Sequence, residues 1–212
     1  MKSHISELTD LTGIAKVHRS AFPKSLSTSM GLKYCTKMLS WFIETESAFM
    51  LHIEENGTII GYCGGIVSDG TLPTGAASGM LQHSMNAAIK AFVLNPTLLF
   101  HPELRKKYKL TLRNIFSKLG LKKNKISDNV RQERKKEPVT GLVVIGVHSD
   151  HRQKGLGQLL LKMFEDHSSS IGINHLRLTV LTDNTIAIKA YKKSGWTTDS
   201  VAGTSTTMSK VL

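Results

Sequence analysis

The residues best placed to do chemistry lie in the run Val147-His148-Ser149-Asp150-His151-Arg152-Gln153-Lys154-Gly155-Leu156-Gly157. Its glycines let backbone come close to a ligand, and a helix starting there would aim free N–H groups at a bound anion. Such a turn suits phosphate, although alone it is also an ordinary strand-to-helix loop. A second segment, Asn184-Thr185-Ile186-Ala187-Ile188-Lys189-Ala190-Tyr191-Lys192-Lys193-Ser194-Gly195-Trp196, sets a phenol on the Ala187-Ala190 face of a helix. A phenol can protonate a leaving group. By spacing alone Tyr191 reads equally as a core tyrosine with a bonded hydroxyl, and Asn184, after Thr182-Asp183, as a helix cap.

The surrounding elements are those that could hold these groups. Leu142, Val143, Val144, Ile145 and Val147 form a nearly continuous apolar run, the pattern of a strand buried on both faces. A helix from Gly155 follows, with Leu156, Leu159, Leu160, Met163 and Phe164 as its stripe. Beyond it the sequence predicts a strand at His175 to Leu181, a helix at Asn184 to Ser194, and strands at Trp196 to Val201 and Thr204 to Lys210. Upstream, Leu8, Leu11, Ala15, His18 and Phe22 mark one helix face ended by Pro23. A second helix is expected from Met30 to Glu44, then strands at Ala48 to Glu54 and Thr58 to Val67 around an Asn56-Gly57 turn. Gly61, Gly64 and Gly65 suggest a bulge or a close backbone approach. The spacing predicts further helices through Leu81, Met85, Ala88 and Phe92 and from Glu103 to Leu119, with a mobile, Lys-rich stretch up to Lys136. The whole reads as one α/β domain over 1–212 with a mixed sheet and a helical, basic insertion at about 68–138.

Here the residues carry a resemblance. Arg152-Gln153-Lys154-Gly155-Leu156-Gly157 resembles the R-x-x-G-x-G/A pyrophosphate loop of the GNAT N-acetyltransferase superfamily, and Asn184 to Trp196 resembles its N-x-x-A-x-x-x-Y-x-x-x-G-F/W segment. The likeness covers Thr140 to Lys210 closely and Ile5 to Val67 loosely. It implies the acyl-CoA N-acyltransferase fold with a splayed central sheet, acetyl-CoA as cosubstrate and a primary amine as acceptor. It also implies roles. Ile145 and Val147 would pair with pantetheine through their backbones, Arg152 through Gly157 would surround the pyrophosphate, an N–H near Val147 or His148 would polarise the thioester, Asn184 would hold the cofactor arm, and Tyr191 would be the catalytic acid. Several members place a glutamate base near the start of the central strand, where this chain has Gly141. The base is left open among His148, Glu44, Glu46 and a water chain. His18, on the apolar stripe of the first helix, reads as a packed histidine or as a substrate contact.

Composition bears on the partners. The formal charge of +12 over 212 residues favours anionic ones. Most of the excess is one block, with 13 Lys or Arg against 4 Asp or Glu between Glu103 and Glu137, a local net of +9. That block should repel polycationic acceptors within a Debye length of about 8 Å and favour a phosphate-bearing one. Together with His18-Arg19-Ser20-Ala21-Phe22-Pro23 it resembles acetyltransferases of bacterial surface-polysaccharide pathways, which act on amino-sugar nucleotides. Two other readings are a protein or ribosomal amine acetyltransferase and an inactive module binding nucleic acid or membrane. Nucleic acid is not expected, since the aromatic residues of the block are spaced as a helix face and not as repeated stacking platforms. Met85, Phe92, Leu98, Leu99 and Phe100 suit either a peripheral membrane contact or a packed helical pair. A homodimer is compatible with the composition. Cys35 and Cys63 have no metal or redox spacing, so both read as buried thiols and no metal is expected. Lacking an apolar leader or spanning run, the chain is expected in the cytoplasm.

Overall fold

Asn56 and Gly57 both take left-handed backbone, at φ 51 and 75, as a two-residue hairpin turn requires. They join β2 (Ala48–Glu55) to β3 (Thr58–Ser68). The computed structural model describes residues 1–68, 76–104 and 137–212, and within them the hairpin belongs to a seven-stranded sheet. The other strands are β1 (Lys2–Ile5), β4 (Val139–Val147), β5 (His175–Leu181), β6 (Thr197–Ala202) and β7 (Ser205–Val211), in the order β1-β2-β3-β4-β5-β7-β6. Only β4 and β5 run parallel. This is the mixed α/β architecture the sequence implies. The strand at β1 was not expected, because four exposed residues carry no alternation of apolar and polar side chains to announce it.

The sheet separates two cores. Met50 and Tyr62 point to α1 (Leu11–Ala21) and α3 (Leu32–Glu44), where Ile14, Leu39 and Phe42 are buried. Leu51 and Cys63, the neighbours along each strand, point to α6 (Leu156–Ser170) with its Leu160 and Phe164. The expected second helix starts at Leu32, with Gly31 at φ 93 as its N-cap, and a short α2 (Leu26–Ser29), not expected from the sequence, precedes it. The helical phase near Leu81 divides at Ser84 into α4 (Ala76–His83) and α5 (Met85–Leu94). Ala88 and Leu98 are buried, whereas Met85, Ile89, Val93 and Phe100 are exposed. The predicted helix from Glu103 and the Lys-rich stretch lie almost wholly outside the described residues.

What matters most is how β4 leaves β5. Their pairing runs from Val139 opposite His175 to Leu142 opposite Leu178 and then stops. On the other side of β4, Gly64 pairs with Val144 but Gly65 with Leu142, so Val143 is an extra residue. An extra residue bends and twists its strand, and this bulge swings the rest of β4 away from β5. The glycines of β3 make room for it. A Cβ on Gly64 would lie 2.9 Å from the Phe42 ring, and one on Gly65 would overlap Phe49. The sequence pattern reads β4 as buried on both faces, yet the split opens at Val143, which is exposed, and runs on past Ile145 and Val147, with Val144 and Ile145 only half-buried.

Candidate active site

The backbone of β4 beyond the bulge has one satisfied side and one free side. His148 N–H donates to the Ile60 carbonyl at 2.9 Å, toward β3. Backbone direction alternates along a strand, so the amides and carbonyls of Ile145 and Val147 point into the opening. The His148 amide is therefore already engaged and cannot polarise a thioester, which leaves that of Val147. Two adjoining cavities fill the split, of about 420 and 750 Å³, sharing Ile145, Ala187 and Tyr191.

The larger cavity ends at the glycine loop. Gly155 caps α6 in left-handed backbone at φ 79, and Gln153 is also left-handed at φ 62. The turn leaves the amides of Gln153, Lys154, Gly155, Leu156 and Gly157 without backbone acceptors among the described residues. Five free donors at a helix N-terminus form a cradle for an anion. A Cβ added at Gly157 would meet no atom within 4 Å, since the space beside it is the cavity. His151, which also lines this cavity, has a buried Nδ1 with no hydrogen-bond partner among the described residues, the Glu55 carboxylate lying 3.7 Å away. The loop is braced from behind: the Arg152 guanidinium donates to the Ala21 carbonyl at 2.7 Å, and Ser149 N–H to Ser20 Oγ at 2.9 Å. Arg152 thus lines the cavity while tying the loop to the end of α1; the Lys154 side chain is exposed and outside the lining.

From the other wall comes α7 (Thr185–Lys193). Asn184 caps it, its side-chain oxygen accepting from Ala187 N–H at 3.2 Å, and it also borders the smaller cavity. Tyr191 faces both cavities. It is 8% exposed, its ring lies 6.2 Å from that of Trp196, and its hydroxyl has no partner among the described residues. Burial raises its pKa, so the phenol stays protonated at neutral pH. Of the groups predicted from sequence, Ile145, Val147, Arg152, Gln153, Gly155, Leu156, Gly157 and Tyr191 line the larger cavity, and Asn184 the smaller. Sequence reasoning passed over Lys189 and Lys193, which line the larger cavity from α7. Their spacing with Ile186 and Ala190 is a helix face, but a lysine pair on an exposed face is common and gave no reason to single them out.

At the smaller cavity, Glu44 and Glu46 are absent from the lining. The Glu44 carboxylate lies by Lys37 and His83, at 3.4 and 3.7 Å. His18 does line it, buried, with Nδ1 2.5 Å from the Tyr62 hydroxyl and Nε2 2.9 Å from Ser27 Oγ. Burial lowers its pKa from 6.5 to about 4. The unfolded chain takes up that proton well before the folded one does. Stability should therefore fall as pH drops from 6.5 through 4, by about 3 kcal/mol from this group. The thermal midpoint should decline over that window, less so in His18→Gln; equal acid sensitivity in both proteins would contradict this account.

Residues 124–196 match the acetyltransferase (GNAT) family. No curated protein matches in sequence. Among solved structures, the chain is similar to a PaiA N-acetyltransferase from Thermoplasma acidophilum in complex with coenzyme A, with 14% identity, a TM-score of 0.54 and 100% of both chains covered. A ribosomal-protein-alanine N-acetyltransferase from Brucella melitensis aligns at 12% identity and TM-score 0.56, again over 100% of both chains. An aminoglycoside antibiotic 6'-N-acetyltransferase from Acinetobacter haemolyticus aligns at 11% identity and TM-score 0.56 over 96% of each. At such identities the likeness establishes the fold they share.

Proposed function

We propose that the chain, whose residues 124–196 match the acetyltransferase (GNAT) family, is a member of that superfamily and transfers the acetyl group of acetyl-CoA to a primary amine. The observation that carries this reading is the split itself: a free β4 edge, a cradle of amides at one end, and between them a buried phenol with no partner among the described residues. In the proposed complex Ile145 and Val147 pair with the pantetheine amides as an added strand would. The amides from Gln153 to Gly157 hold the pyrophosphate, with Arg152 bordering it. The Val147 N–H points at the thioester carbonyl, where one donor is typically worth about 10²–10³ in rate. As the amine attacks and the C–S bond breaks, Tyr191 gives its proton to the departing thiolate.

Lys189 and Lys193 add positive charge beside the same anion. The double change to glutamine should raise KM for acetyl-CoA about tenfold, equivalent to about 1.4 kcal/mol, with kcat little changed. Steady-state kinetics at low salt would measure it; an unchanged KM would remove the pair from the binding surface.

For the acceptor we propose a small amine that carries phosphate, such as an amino sugar linked to a nucleotide. Two features support this. No Asp or Glu lies among the described residues lining the smaller cavity, so a polycation would find no counter-charge there. The sequence between Glu103 and Glu137, which leads into β4, carries a net of +9. The test is release of free thiol from acetyl-CoA against amino-sugar nucleotides, unphosphorylated amino sugars, tyramine and a peptide with a free α-amine. Turnover should be greatest with the first. Preference for the peptide would transfer the assignment to a protein amine, and no turnover with any would count against acetyl transfer.

A further inference from the structure

If the split is the transfer site, the attacking nitrogen must lose a proton as the amide forms. The carboxylates named from sequence are not at the cavity. Among the described residues lining the smaller cavity, His18 and Tyr191 alone have titratable side chains, and the reading above uses Tyr191 as the acid. Both His18 nitrogens are bonded, one to Tyr62 and one to Ser27, so a proton can reach the imidazole only along those bonds. One of them leads back to the cavity. Ser27 Oγ lies 2.9 Å from Ser25 Oγ, and Ser25 lines the cavity with His18 and Phe22. Ser25 Oγ accepts from Thr28 N–H at 3.2 Å and donates its one proton to the Phe22 carbonyl at 2.9 Å, so in the relay that proton turns from the carbonyl to Ser27. Ser27 is held through its own carbonyl, which accepts from the Cys35 thiol at 3.1 Å.

We propose that Ser25, Ser27 and His18 form a proton relay that carries the acceptor amine's proton away from the acceptor end of the split. The inference rests on the reading of the split as an acetyl-transfer site. As the N–C bond forms, the amine proton passes to Ser25 Oγ, the Ser25 proton to Ser27 Oγ, and the Ser27 proton to His18 Nε2. The imidazolium so formed donates through Nδ1–H to the Tyr62 oxygen. On the other side the C–S bond breaks and the thiolate takes the Tyr191 proton. The cycle closes when His18 returns its proton to solvent by the same hydroxyls and Tyr191 regains one. Burial keeps His18 neutral at pH 7, so Nε2 has a lone pair to offer and does not retain the proton it receives. Only Ser25 would touch the amine; Ser27 and His18 act through it.

A histidine packed for stability and one in a relay predict different kinetics. Ser27→Ala breaks the chain of hydroxyls without changing the residues that line the cavity, and Ser27→Thr restores the hydroxyl. With tyramine, glucosamine and ethanolamine phosphate as probe amines, Ser27→Ala should lower kcat about 10²-fold with KM for acetyl-CoA unchanged, and Ser27→Thr should recover most of the loss. His18→Gln should match Ser27→Ala in kcat. Should His18→Gln fail to fold, the Ser27 pair still decides. A wild-type protein that acetylates a probe, beside a Ser27→Ala variant within threefold of it, overturns the relay and leaves acetyl transfer standing. A wild type that acetylates none of them, and none of the wider amine panel, overturns the transfer reading and the relay with it.

Discussion

Tyr191→Phe should lower kcat about 10²-fold while leaving coenzyme A affinity and the thermal midpoint nearly unchanged. The substitution removes one oxygen. That oxygen holds no hydrogen bond among the described residues, so its loss orphans no partner, and the ring keeps its contact with Trp196. A tyrosine retained for packing alone would thus tolerate phenylalanine in every assay. A phenol that protonates the thiolate acts chiefly in the transition state, and its removal shows in kcat rather than in binding. Its burial favours the role, since a raised pKa keeps the proton in place until a thiolate forms. Steady-state kinetics with the best acceptor, together with calorimetric coenzyme A affinity, separates the two. A kcat within about threefold of wild type would remove Tyr191 from the catalytic mechanism.

Gly157→Val should weaken coenzyme A binding at least about 10²-fold, near 3 kcal/mol, and leave the fold intact. Gly157 has no positive φ and its missing Cβ faces open space, so valine strains neither backbone nor core. In the proposed complex the same open space is where the pyrophosphate approaches the free amides, and an isopropyl group there would hold it off. Gly155 is a less clean test. Its left-handed φ of 79 disfavours any side chain, so Gly155→Val would cost stability as well as binding. Calorimetry on wild type and Gly157→Val, with thermal midpoints for both, tests this; equal affinities would contradict the cradle.

The glycine loop and the Asn184 to Trp196 segment were legible because each is continuous in sequence, one a strand-to-helix turn and the other a capped helix. The bulge at Val143 was not, because it exists only in the register between β4 and β3, set by which glycines of β3 lie opposite. The same holds for His18. Its place on the apolar stripe of α1 was readable, but its partners Ser27 and Tyr62 come from α2 and from a strand 44 positions along the chain. Asn184 shows a residue with two readings that are compatible in space, since it caps α7 and borders the cavity at once. Continuity also misled. The run from Leu142 to Val147 reads as doubly buried, yet part of it is the wall of an open cleft, and apolar side chains suit either setting.

The central claim is that acetyl-CoA occupies the split between β4 and β5, and a crystal structure of the chain with coenzyme A tests it most directly. The account predicts pantetheine along the free edge of β4, hydrogen-bonded to the backbone of Ile145 and Val147, with the pyrophosphate against the amides of Gln153 to Gly157 and the sulfur beside the Tyr191 hydroxyl. Coenzyme A bound elsewhere, or β4 and β5 paired along their full length beyond Leu142 and Leu178, would contradict it.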